Sequence, residues 1–184
     1  MRLMKKIFLF FVFILFLMNP SYANAQEGAS ASSAKIQKLN VLQPDYRVRI
    51  LKDYLNQYNS PLASYSAVFV RNADDYDIDW RLVAAISGIE STFGQQIPYN
   101  TYNAWGWGIY GDNMLYFKSW EDGIETISKG LRENYINKWK AQNVYEIGRI
   151  YAASPTWASR VDYFMQRIQE FGLRNPQSAL SLSL

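Results

Sequence analysis

The sequence predicts a mainly α domain of the α+β class: six helices in succession, with one small β-hairpin excursion in the middle. Three observations predict it. Apolar side chains recur at helical spacing in six separate segments of the 184-residue chain. Capping residues and breakers fall at the ends of most of those segments. Only Ile109 to Phe117 departs from the pattern, where Gly111-Asp112-Asn113 stands between aromatic arms as a hairpin turn would.

Residues 1–25 stand apart from the domain. Arg2, Lys5 and Lys6 precede an unbroken apolar run from Ile7 to Met18, Asn19-Pro20 interrupts it, and Ala23-Asn24-Ala25 forms a small-x-small cleavage site. This is the pattern of a secretory signal peptide. The run is shorter than the roughly 20 residues of a spanning helix, so no stable membrane insertion is expected after cleavage. Those three basic residues account for the whole formal charge of +3. The rest of the chain is balanced, and gives no sign of the clustered basic surface that nucleic acid requires.

Residues 26–34 are small and polar and read as a flexible linker. The domain spans 35–175, and 176–184 form an uncharged low-complexity tail. Within the domain, Val48, Leu51, Leu55 and Tyr58 share one helical face, which Asn59-Ser60-Pro61 ends. Leu62, Tyr65 and Phe69 begin a second helix that reaches about Asp75. Asp79 is a suitable N-cap for the third, whose stripe is Leu82, Ile86 and Ile89. Ser119 with Asp122, and Asn143 with Glu146, give two capping-box patterns. The first precedes Trp120, Ile124, Ile127 and Leu131, the second Val144, Ile147 and Tyr151. Trp157, Val161, Phe164, Ile168 and Phe171 line the last helix, with Gly172 as its expected stop.

The chain contains no cysteine and no histidine. Disulfides, a Cys nucleophile, a Ser-His-Asp triad and most zinc chemistry are therefore excluded, and no cofactor or metal is expected. Any catalysis must use carboxylates, tyrosines, lysines or hydroxyls. Glu90 is the carboxylate in a telling place. It ends the third apolar helix, where the helix dipole disfavours a negative charge, and Ile89 and Phe93 flank it. That position suits a carboxyl that acts as a general acid.

A loop of rings follows. Tyr99, Tyr102, Trp105, Trp107 and Tyr110 are separated by Gly106, Gly108 and Gly111. Aromatic faces cover the C–H side of a sugar, and glycine allows close approach of the backbone to a ligand. Trp107 or Tyr110 is expected to face substrate before Trp105, since some of these rings must be core.

Asp79 to Gly94, followed by Asn103 to Gly108, resembles the catalytic core of the lysozyme-like superfamily, which includes soluble lytic transglycosylases, goose-type lysozymes and bacterial N-acetylglucosaminidases. The similarity extends over Phe69 to Ile168. In transglycosylases a Glu-Ser pair ends a helix and its glutamate is the catalytic acid; Glu90 and Ser91 match that pair. Tyr151, in Ile150-Tyr151-Ala152-Ala153, stands where the family places a tyrosine near the acid. The sequence departs from the transglycosylase Gly-Leu-Met-Gln pattern, which is replaced by Trp105-Gly106-Trp107-Gly108. Its Asn-x-x-Gly loop resembles the glucosaminidase branch more closely.

The resemblance implies a lysozyme-like helical domain that acts on peptidoglycan, and the leader pattern adds export to the periplasm, cell wall or medium. Glu90 and Tyr151 would be catalytic, and Ser91, Tyr99, Asn103, Trp105, Trp107 and Tyr110 would bind substrate. The implied activity is cleavage of the β-1,4 glycan strand by one glutamate acid, of transglycosylase or muramidase type. An N-acetylglucosaminidase or a non-catalytic wall-binding module are the alternatives. Asp112 is the candidate second carboxylate that hydrolysis would need. It is equally placed to be a turn residue beside Gly111.

Overall fold

In a computed structural model, residues 45–108 and 115–176 are described. Their elements are α1 (Tyr46–Asn56), a 3₁₀ turn (Pro61–Tyr65), α2 (Ser66–Asp75), α3 (Leu82–Ser91), α4 (Trp120–Gly130), a π-helical stretch (Leu131–Lys138), α5 (Val144–Tyr151) and α6 (Trp157–Arg174). All six predicted helical segments are helical. No β-strand occurs among the described residues. The hairpin turn, with Tyr110 and Asp112, lies outside them, as do the leader, the linker and nearly all of the tail.

α3 is the organising element. Every residue from Leu82 to Ser87 is buried, as expected for a helix that is apolar on all sides. It packs along α6 and touches α4, while α1 lies on α2 and α6, and α5 on α6. The C-terminal end of α3, which carries Glu90, is thereby held rigidly.

Three sequence expectations change in detail. Asp79 does not cap α3. Its Oδ1 accepts the Arg81 amide at 2.9 Å in a turn before the helix, and Arg81 takes the N-cap position. The second helix divides, because Pro61 and the Ser60 cap favour a tight 3₁₀ turn before α2 begins. Gly172 does not stop α6, which continues to Arg174. A Cβ at Gly172 would come 2.5 Å from Ile50 Cδ1, so this glycine serves the close approach of α1 to α6.

Both capping boxes form, reaching one residue further back than the usual pattern. Asn143 Oδ1 accepts the Tyr145 and Glu146 amides at 3.0 Å each, and Glu146 Oε2 accepts the Gln142 amide at 2.8 Å. Ser119 Oγ accepts the Asp122 amide at 3.3 Å, and Asp122 Oδ2 accepts that of Lys118 at 2.8 Å. Asn143→Ala is expected to cost about 1 kcal/mol, seen as a fall in Tm of about 2–4 °C in a thermal melt. An unchanged Tm would mean the cap contributes nothing to α5.

No helix among the described residues is long and apolar enough to cross a membrane.

Candidate active site

The site is built where α3 ends. Thr92, Phe93 and Gly94 follow with φ of 53°, 57° and 83°, three successive residues in the left-handed region. For the two that are not glycine this costs on the order of 1–3 kcal/mol each. Burial of Phe93 offsets part of that cost. Its ring is 1% exposed, tilted against Tyr58 and edge-on to Tyr54 and Phe164. Ser60 Oγ donates to its carbonyl at 2.7 Å. The reversal turns the chain away and leaves Glu90 at a half-buried helix end, facing Gly106 of the loop 103–108.

Asn103 organises that facing loop. Its Nδ2 donates to the Trp107 carbonyl at 2.8 Å and to that of Leu115 at 3.1 Å, and its Oδ1 accepts the Trp107 amide at 3.1 Å. Ser91 joins the loop to α3. Its hydroxyl lies 2.8 Å from the Ala104 carbonyl and accepts the Gly94 amide at 2.9 Å. Trp105 is fully enclosed, and its Nε1 donates to the Val83 carbonyl at 2.9 Å. These three residues, expected at the substrate surface, lie inside instead. The buried amides and carbonyls of a tight loop need partners, and Ser91 and Asn103 supply them.

Among the described residues here, Glu90 and Trp107 are half-buried, and Gly106 and Gly108 are exposed. Glu90 Oε1 accepts the indole N–H of Trp157, the first residue of α6, at 2.7 Å. The other carboxyl oxygen faces Gly106, which has φ +60°. Among the described residues no cation pairs with this carboxyl. Tyr151 stacks on Trp157 at a centroid distance of 4.5 Å and an interplanar angle of 22°. Its hydroxyl donates to the Trp105 carbonyl at 2.7 Å. Burial, and secondly the charge of Glu90, push the Tyr151 phenol well above its ordinary pKa, so it remains a neutral hydrogen-bonding group.

Trp107 leans on Tyr151 and Tyr135 at 5.6 and 5.8 Å and lies over Gly130, where a Cβ would come 2.6 Å from its ring. The π-helical stretch begins next to that glycine, and its wider winding carries Tyr135 on the side of Trp107 and Tyr151. Tyr102 is partly exposed and edge-on to Trp120, and Tyr99 is exposed. The sequence-predicted residues Glu90, Tyr151 and Trp107 thus come together.

Sequence reasoning missed Trp157 as a partner of Glu90, having assigned it to the stripe of the last helix. It also missed Tyr135. A separate groove of about 560 Å³, lined by Ile78, Leu82, Ile147 and Met165 among others, contains none of the residues around Glu90. Among the described residues no group of three or more Asp and Glu side chains is placed to hold a metal ion.

No family model and no curated protein matches the sequence. Among solved structures the chain is similar to autolysin E of S. aureus, a catalytic mutant with a glutamate replaced by alanine, in complex with the disaccharide NAG-NAM. The TM-score is 0.58 at 17% identity, over 68% of each chain. The two share a fold. The likeness agrees with the mainly helical domain expected from the sequence, and at this identity it extends to the fold alone.

Proposed function

We propose that this chain is an exported enzyme that cleaves the β-1,4 glycan strand of peptidoglycan, with Glu90 as its general acid. One observation carries the reading. A half-buried carboxyl with no cation partner among the described residues stands at the end of a buried helix, accepting an indole N–H and facing a glycine in an aromatic loop. A carboxylate serving stability would pair with a cation or extend into water. The leader pattern of residues 1–25 supports export. The shared fold with an autolysin crystallised with NAG-NAM supports peptidoglycan as the substrate class. No cofactor enters the reading.

Of the two bond-breaking modes, we favour transglycosylation. Glu90 protonates the glycosidic oxygen as the C–O bond breaks. The resulting carboxylate then takes the proton of the muramic acid 6-hydroxyl, which closes on the anomeric carbon. One carboxyl serves both steps and no water is consumed. Tyr151, next to the acid, positions the loop through the Trp105 carbonyl. Tyr151→Phe is therefore expected to slow cleavage, and Asp112→Asn to leave it nearly unchanged. Hydrolysis by a glucosaminidase is the second reading, favoured by the Asn103-Ala104-Trp105-Gly106 loop.

Digestion of sacculi in ¹⁸O-water decides between them. Transglycosylation gives 1,6-anhydro ends without label. Label at a new reducing end, together with dependence on Asp112, would establish hydrolysis.

A further inference from the structure

Glu90 has two chemically different oxygens, and the protein distinguishes them. An indole N–H can only donate, so Oε1, 2.7 Å from Trp157 Nε1, must accept in every protonation state. In a carboxylic acid the carbonyl oxygen is the better acceptor, which leaves the hydroxyl on Oε2. Oε2 faces Gly106. A Cβ built on that residue would lie 3.1 Å from Oε2, just beyond the roughly 2.5–3.0 Å of an O–H···O hydrogen bond. Gly106 itself is exposed, and among the described residues the atoms nearest that position all belong to Glu90.

We propose that Trp157 is a positioning residue that fixes the transferable proton of Glu90 on Oε2, and that the glycosidic oxygen is received in the space over Gly106 that a side chain would fill. The inference rests on the reading of Glu90 as the acid. Trp157 is suited to this task because it cannot swing. It is 3% exposed, with one face against Tyr151. A Cβ at Gly148 would come 2.8 Å from Ala158 Cβ and 3.0 Å from Trp157 Cε3, so that glycine lets the start of α6, the indole included, pack close to α5. The absence of side chains at positions 106 and 148 therefore has two uses: Gly148 makes room for the indole, and Gly106 for the substrate oxygen.

The test compares wild type, Trp157→Phe and Gly106→Ala on solubilised glycan strands, with kcat and KM determined per folded molecule. Trp157→Phe keeps a ring against Tyr151 and removes the donor. It is expected to lower kcat about tenfold or more, with KM within about twofold. Should the smaller ring destabilise the fold, benzothienylalanine at position 157 keeps the indole shape, replaces N–H by sulfur and is expected to give the same split. Gly106→Ala, whose methyl would occupy the oxygen's place, is expected to lose at least about a hundredfold in kcat/KM while remaining folded by circular dichroism.

An unchanged kcat in the benzothienylalanine protein, or a folded and active Gly106→Ala, would overturn the proposal. Glu90→Gln distinguishes this from failure of the underlying reading. If Glu90→Gln is inactive while position 157 tolerates loss of the donor, only the positioning role falls. If Glu90→Gln cleaves, the assignment of the acid falls as well.

Discussion

Glu90→Gln is expected to yield a folded protein that binds peptidoglycan and does not cut it. The amide matches the carboxyl in size, and its carbonyl can still accept the Trp157 indole N–H found at 2.7 Å. The packing at the end of α3 is then preserved. What disappears is the acidic proton. General acid catalysis contributes roughly 10²–10⁴ in rate, so the variant should fall by at least a hundredfold in turbidity clearance of sacculi. Its melting curve and its cosedimentation with sacculi should match wild type. Activity within about tenfold of wild type would remove Glu90 from the role of acid.

Trp105→Ala is expected to have the largest effect on stability, and for a different reason. Trp105 is completely buried and meets Phe69, Phe117 and Trp120. Gly123 makes room for it, since a Cβ there would come 2.6 Å from its ring. Truncating such a ring costs about 3–5 kcal/mol, a fall in Tm of roughly 10 °C or more. A Trp105→Ala protein with an unchanged melting curve and weakened glycan binding would return this ring to the substrate face.

The contrast between these two residues shows what the sequence discloses. Helices were legible because Leu82-Ile86 and Trp120-Ile124-Ile127-Leu131 carry the 3.6-residue period, and that period survives without knowledge of the partner. Glu90 was legible because a carboxylate at the end of an apolar helix opposes the helix dipole. Its neighbours were harder to read. Ser91 and Asn103 are polar residues beside a candidate acid, a pattern that suggests ligand contact. In the fold they satisfy buried amides and carbonyls of the loop instead.

Trp157 was hidden for another reason. Its indole lies 67 residues from Glu90 in the chain, and only the packing of α6 on α3 brings them together. Nothing local distinguishes it from Val161 or Ile168 on the same stripe. The left-handed backbone at Thr92 and Phe93 was equally silent, because neither residue favours that conformation; tertiary burial of Phe93 imposes it. Gly172 misled because a glycine after an apolar stripe fits a helix stop as well as it fits contact with Ile50.

Mass spectrometry of the material that the wild-type domain releases from purified sacculi tests most directly whether this protein cuts the glycan strand of peptidoglycan. The predicted result is soluble fragments with intact stem peptides and new sugar ends, each end marking a broken glycosidic bond. Fragments broken within the peptide or at the sugar–peptide amide, or no release by a folded protein, would contradict it.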